Sequence, residues 1–198
     1  LAAAGAINLR TSVTNPETTY GYVIPWNGIK TVKTVGHLLQ KGILLRYAEQ
    51  PFEVNGNKFE RGAIIVLKTS NQKFGGDFWK MVRETTAADG VQIYAVSSGF
   101  VDKGFDFGSG MVHPMRMPKV VLVTGEGVSG NSAGEIWHFF DQQLDFPVTL
   151  INANDLARAN WNEIDVLIMP DGNYRFLSNK DELEAFKSWV SKGGRVVA

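Results

Sequence analysis

The sequence predicts an α/β protein made of two α/β units. Three observations predict it. Short apolar runs alternate with stretches whose apolar residues recur at helical spacing. One long stretch, 98–117, has neither period and separates two such alternations. After Pro118 each strand-like run is followed by a helical one, the pattern of a parallel sheet covered on both faces.

Residues 1–19 read as an irregular N-terminal segment with a turn signal at Asn15-Pro16. A small α/β unit with a hairpin is expected over 20–97. Tyr20 to Ile24 is its first strand, closed by Pro25. Thr31 to Gln40 is a helix with Val32, Val35, Leu38 and Leu39 on its inner face and Gly42 as its stop. Ile43 to Tyr47 is a second strand. Phe52 to Phe59 is a hairpin, because Asn55-Gly56 supplies positive φ at both turn positions. Ala63 to Leu67 reads as a buried strand, Asp77 to Ala88 as a helix with Phe78, Met81 and Val82 facing in, and Val91 to Val96 as a strand. The Gly- and aromatic-rich segment 98–117 is expected to be a linker.

The second unit, 118–198, starts with a strand at Lys119 to Thr124. A helix is expected over Ser132 to Leu144, with Ser132-Ala-Gly-Glu135 as a capping box. Strands follow at Val148 to Asn152 and Asp165 to Met169. A last helix, Lys180 to Ser191, is expected to face inward through Leu183, Phe186 and Val190, with Phe176 also facing the core. Arg195 to Ala198 begins a further strand. The chain lacks an initiating Met and stops inside that strand, so a piece of a longer protein, truncated at its C-terminus, is expected.

Composition narrows the function classes. The 198 residues are 44% hydrophobic and 20% charged, with twenty basic residues balancing twenty acidic ones. That balance builds no field for nucleic acid or an anionic membrane, and no apolar run approaches the roughly 18 residues of a spanning helix. The absence of cysteine excludes disulfides, thiolate metal sites and a Cys nucleophile. His37, His113 and His138 are the only histidines, and none lies in an H-x-x-E or H-E-x-x-H spacing, so no metal ligand set is expected. His138, beside Trp137, reads as a half-buried packing residue. No G-x-S-x-G elbow is present.

Gly125-Glu-Gly-Val-Ser-Gly130 has the G-x-G-x-x-G outline of a dinucleotide loop. With the helix starting at Ser132, the intervening loop Gly125–Asn131 is too long for the tight phosphate turn. The nearest acid after the second strand, Asp155, also lies too far along the chain to hold a ribose. NAD is therefore not expected. The loop still follows a parallel strand, at the carboxyl edge where ligands usually bind. Glu126, Gly127, Ser129 and Ser132, with Asp171 and Tyr174 from the next strand end, are the candidate ligand-binding residues. Two rival readings use them. One is a small-ligand-binding domain centred on Gly125–Asn131; the other is an enzyme with Glu126 and Asp171 as acid and base.

The run PKVVLVTGEGVSGNSAGEIWHFFDQQLDFPVTLINANDL, with WNEIDVLIMPDGNY and LEAFKSWVSKGGRVVA, resembles the class I glutamine amidotransferase-like domain. More narrowly, it is similar to the version C-terminal to the catalytic domain in bacterial zinc carboxypeptidases of the carboxypeptidase A type. YGYVIPWN, GILLRYAEQPFEVNGNKFERGAIIVL and FDFGS resemble the region joining the two. The resemblance implies a truncated flavodoxin-like parallel sheet and a non-catalytic accessory region. It implies zinc only in the catalytic domain, which is the expected partner, and export to the periplasm or beyond. The zinc ligands of that family match no position here. Its amidotransferase Cys would follow the strand that Arg195 begins, and this chain has none.

Overall fold

The computed structural model describes residues 19–198. The irregular segment 1–19 and its Asn15-Pro16 turn therefore lie, apart from Thr19, outside the described residues. The fold is mixed α/β and divides into two compact units, one ending at Arg116 and the other running from Met117 to Ala198.

In the first unit, five strands form an antiparallel sheet. These are β1 (Gly21–Ile24), β2 (Arg46–Ala48), β5 (Ile64–Leu67), β6 (Tyr94–Val96) and β7 (Val112–Pro114), in the order β6-β1-β5-β2-β7. Strands β3 (Phe52–Val54) and β4 (Asn57–Phe59) form the hairpin, with Asn55 at φ 52° and Gly56 at φ 70° as the Asn-Gly signal requires. Period-2 alternation sorts the sheet. Tyr22, Ile24, Ile64 and Val66 face helices α1 (Ile29–Gln40) and α2 (Phe78–Ala88). Val23, Ile65 and Leu67 face the hairpin's Phe52 and Phe59 together with Phe107. The two helices are pinned at one end by Asp89, whose carboxylate accepts from Thr34 and meets His37 Nδ1, both at 2.9 Å.

Three sequence expectations change here. Segment 98–117 is not a linker over most of its length. Phe107 is fully buried, Val112–Pro114 is the edge strand β7, and Glu53 exchanges backbone bonds with Lys103. A Gly-rich segment without a period still orders when one aromatic fills a core pocket and its ends find a sheet edge. The inner face of α1 keeps Val35, Leu38 and the half-buried Leu39, but takes Thr31 and Thr34 in place of Val32, which is exposed. Two threonines there replace the apolar residues that a hydrophobicity pattern tracks. Residues 43–45 precede β2 rather than belonging to it. Asn71, fully buried, serves Leu44 in place of a strand partner, accepting from its N–H at 2.8 Å and donating to its carbonyl at 3.0 Å.

In the second unit β8 (Val120–Thr124), β9 (Thr149–Asn152), β10 (Val166–Ile168) and β11 (Arg195–Val197) form a parallel sheet in the order β11-β10-β8-β9. Helix α3 (Gly130–His138) runs on through a π-helical turn, Phe139–Leu144, and covers Val120, Leu122 and Ile168 with Ile136 and Phe140. The opposite face, Val121, Val123, Leu167 and Met169, packs under Leu156, Phe176 and Trp189. Phe176 sits in a short 3₁₀ turn, Arg175–Ser178, ahead of helix α4 (Lys180–Ser191). In α4 the innermost residue is Trp189, not Val190, which is 41% exposed. The larger ring packs at a tilt against Trp161 and Phe186, and its Nε1–H donates to the Ile164 carbonyl at 2.9 Å. No helix among the described residues is long and apolar enough to cross a membrane.

The start of α3 corrects the sequence reading. Its cap is Ser129, whose Oγ accepts from the Ser132 N–H at 3.3 Å, so the helix begins at Gly130 and the Ser132–Glu135 capping box does not form. Ser-x-x-Glu is the stronger sequence signal. Ser129 takes the position because the end of the preceding loop is fixed by another contact, described next.

Candidate functional site

With the strand order β9-β8-β10-β11 the chain reverses direction across β8, so the topological switch point falls between the carboxyl ends of β8 and β10. That is where open parallel sheets bind ligands. The loops that follow these two strands carry five of the six candidate residues, Ser132 stands in the first turn of α3, and the fold brings them to the same edge of the sheet. Backbone bonds close the loops on each other. Ser129 N–H donates to the Asp171 carbonyl at 2.8 Å, and Asn173 N–H donates to the Gly127 carbonyl at 2.7 Å. Val128 and Gly172 lie opposite each other as an isolated antiparallel bridge.

Two glycines make this approach possible. Gly127 sits at φ +86°, and a Cβ on it would lie 2.8 Å from the Asn173 carbonyl oxygen. A Cβ on Gly172 would lie 2.7 Å from the Gly127 oxygen and 2.9 Å from Val128 Cα. Of the three glycines that look in sequence like a phosphate loop, Gly127 is thus spent on a close backbone seam, while a Cβ on Gly125 would meet the Asn152 side chain. The corrected helix start removes one objection to a dinucleotide, since Gly130 does stand in the first turn. The Ser129 amide, however, is already bonded within the protein.

The side chains have separate roles. Glu126 is exposed, 3.6 Å from Arg175 and accepting from Asn154 Nδ2 at 3.3 Å. Such an exposed pair contributes little to stability. Asp171 gives its carbonyl, not its carboxylate, to the seam. Ser132 Oγ lies 3.2 Å from Ser129 Oγ. Tyr174 donates its hydroxyl to the Pro170 carbonyl and leans its half-buried ring on Phe176. Burial raises its hydroxyl above the ordinary 10.0, and the Asp171 carboxylate adds to that. Trp137, the other aromatic near the loop in sequence, is 44% exposed. Sequence reasoning missed Asn154 and Arg175, which follow strand ends in no recognisable spacing.

A cavity of about 770 Å³ in this unit opens at the other end of the sheet, over the start of β9, between Pro118, Val121, Ile151, Ala159, Asn160 and Ile164. It contains none of the candidate residues. Among the described residues, no group of three or more His, Asp or Glu is placed to hold a metal ion. His37 is engaged with Asp89, and His113 Nε2 meets Glu49 at 2.7 Å. His138 is exposed at the end of α3 rather than half-buried in packing.

Compared with protein-family models, with curated proteins and with solved structures, the chain gives no match.

Proposed function

We propose that this chain is a non-catalytic accessory region that packs on the catalytic domain of an exported zinc carboxypeptidase. In this reading the second unit is a flavodoxin-like, class I glutamine amidotransferase-like domain. Its strand order suits that assignment, since numbering its own strands gives 2-1-3-4, the first part of the doubly wound order.

The observation that carries the reading is the apolar surface left on the sheet face beneath α3. Leu150 stands beside Leu122 and Val197 beside Ile168 in register, so both share that face, yet they are 52% and 55% exposed. Parallel sheets are normally covered on both faces. Half-open apolar residues on the outer strands fit burial against another protein better than capture of a small molecule. The closed seam at the switch point favours the same choice over the ligand-binding alternative at Gly125–Asn131. Glu126 is exposed beside Arg175, in water rather than in a closed site where an acid–base pair would work.

Metal analysis and a peptidase assay of the chain alone test the proposal. The expected result is substoichiometric zinc and no release of C-terminal amino acids from peptides. One tightly held zinc per chain with peptide hydrolysis would overturn it.

A further inference from the structure

We propose that Asn27 is a site of spontaneous covalent modification, and that Asn55, in the same Asn-Gly dipeptide, is protected from it. The reaction is intramolecular. The Gly28 amide nitrogen attacks Asn27 Cγ, a C–N bond forms, the Cγ–Nδ2 bond breaks, and ammonia leaves with the amide proton. Water then opens the succinimide at either carbonyl, giving aspartate or isoaspartate. Glycine favours the attack because it has no side chain to shield its nitrogen.

The two sites differ in how their atoms are held. Asn55 stands in the two-residue turn of the β3–β4 hairpin. Its Nδ2, the leaving group, donates to the Ala95 carbonyl at 3.2 Å, and the Gly56 N–H, the nucleophile, donates to Asp102 Oδ2 at 3.1 Å. Both must be released before the ring can close. A carboxylate beside the Gly56 nitrogen also opposes the loss of its proton. Asn27 lies in the exposed, non-repetitive segment between β1 and α1. Its contact runs the other way. The buried Thr31 hydroxyl lies 3.0 Å from Asn27 Oδ1 and 3.1 Å from the Pro25 carbonyl. The single Thr31 hydroxyl proton is shared between these two acceptors, so Asn27 is held by at most part of one hydrogen bond, whereas two hold Asn55 and Gly56.

The product also suits its place. Helix α1 has no side-chain cap and no acidic residue in its first turn. A new carboxylate one residue before the cap supplies the negative charge that a helix N-terminus favours.

The test is peptide mapping of the intact chain held at mildly alkaline pH, comparing the tryptic peptides 11–30 and 47–58. Peptide 11–30 should gain one mass unit at Asn27, with isoaspartate detectable by enzymatic methylation. Its rate should exceed that at Asn55 by about tenfold, the rate equivalent of freeing one hydrogen bond to a charged group. Asp102→Ala should speed the reaction at Asn55. The comparison within the wild-type chain stands even if a variant folds poorly. Equal rates at the two sites, or a faster reaction at Asn55, would overturn the proposal.

Discussion

The backbone N–H of Ser129 donates to the carbonyl of Asp171 across 2.8 Å, joining the loop after β8 to the loop after β10 at the switch point of the parallel sheet. A crevice usually separates such loops. Here Gly127 and Gly172 let the two backbones touch, and that contact sets where α3 can begin.

Gly127→Ala should therefore destabilise the second unit. The substitution adds a Cβ at φ +86°, 2.8 Å from the Asn173 oxygen. A cost of about 2 kcal/mol is expected from the left-handed backbone and the clash together. Urea unfolding followed by the fluorescence of Trp161 and Trp189 measures it. An unchanged midpoint would mean that the loops part without cost.

Ser129→Ala should cost about 1 kcal/mol as a lost helix cap. Ser132→Ala should cost less, because Ser132 gives only its hydroxyl to the Ser129 oxygen. Paired unfolding curves separate the two. The reverse order would restore the helix start that the sequence alone suggests.

Asn71→Ala should be among the most damaging single changes in the first unit. Asn71 is 1% exposed and satisfies the Leu44 N–H, the Leu44 carbonyl and the Leu67 carbonyl. Losing all three partners is expected to cost about 3 kcal/mol. Asn71→Asp should not rescue it, since an ionised carboxylate cannot donate to the two carbonyls.

Alkaline pH provides a further test in the same unit. Burial raises the Tyr22 hydroxyl above its ordinary 10.0, outweighing the lowering by Arg83 and by the hydrogen bond with Thr19. The folded state thus keeps a proton that the unfolded chain releases. The corresponding stability is fully present below 10.0 and is lost as pH rises through the folded value. Tyr22→Phe keeps the edge-on contact with Trp79 and removes this part of the alkaline loss. The slope of unfolding free energy against pH, compared between the two proteins, checks it; identical slopes would count against a buried, protonated Tyr22.

The parallel sheet of the second unit was legible because each of its strands is an apolar run followed by polar or helical spacing. The Asn55-Gly56 hairpin was legible because its turn chemistry admits few alternatives. The role of Phe107 was not, since a single aromatic in a Gly-rich stretch carries no period; only the finished pocket against Phe52 makes it core. The meeting of Gly125–Ser129 with Asp171–Tyr174 could be anticipated from strand topology. Its closure could not, because backbone-to-backbone bonds between loops leave no mark on side-chain pattern beyond the glycines. Gly127 reads as part of a phosphate loop for the same physical reason that it forms a seam: both need a backbone approach that a Cβ would block.

The most direct measurement of the functional account is calorimetric titration of this chain with the catalytic domain of a bacterial zinc carboxypeptidase of the carboxypeptidase A type. The account predicts saturable binding that weakens when Leu150 and Val197 are replaced by aspartate. It also predicts no effect of NADH or ATP on the chain itself. Absence of binding to the catalytic domain, together with saturable binding of a small ligand that Gly127→Ala abolishes, would contradict it.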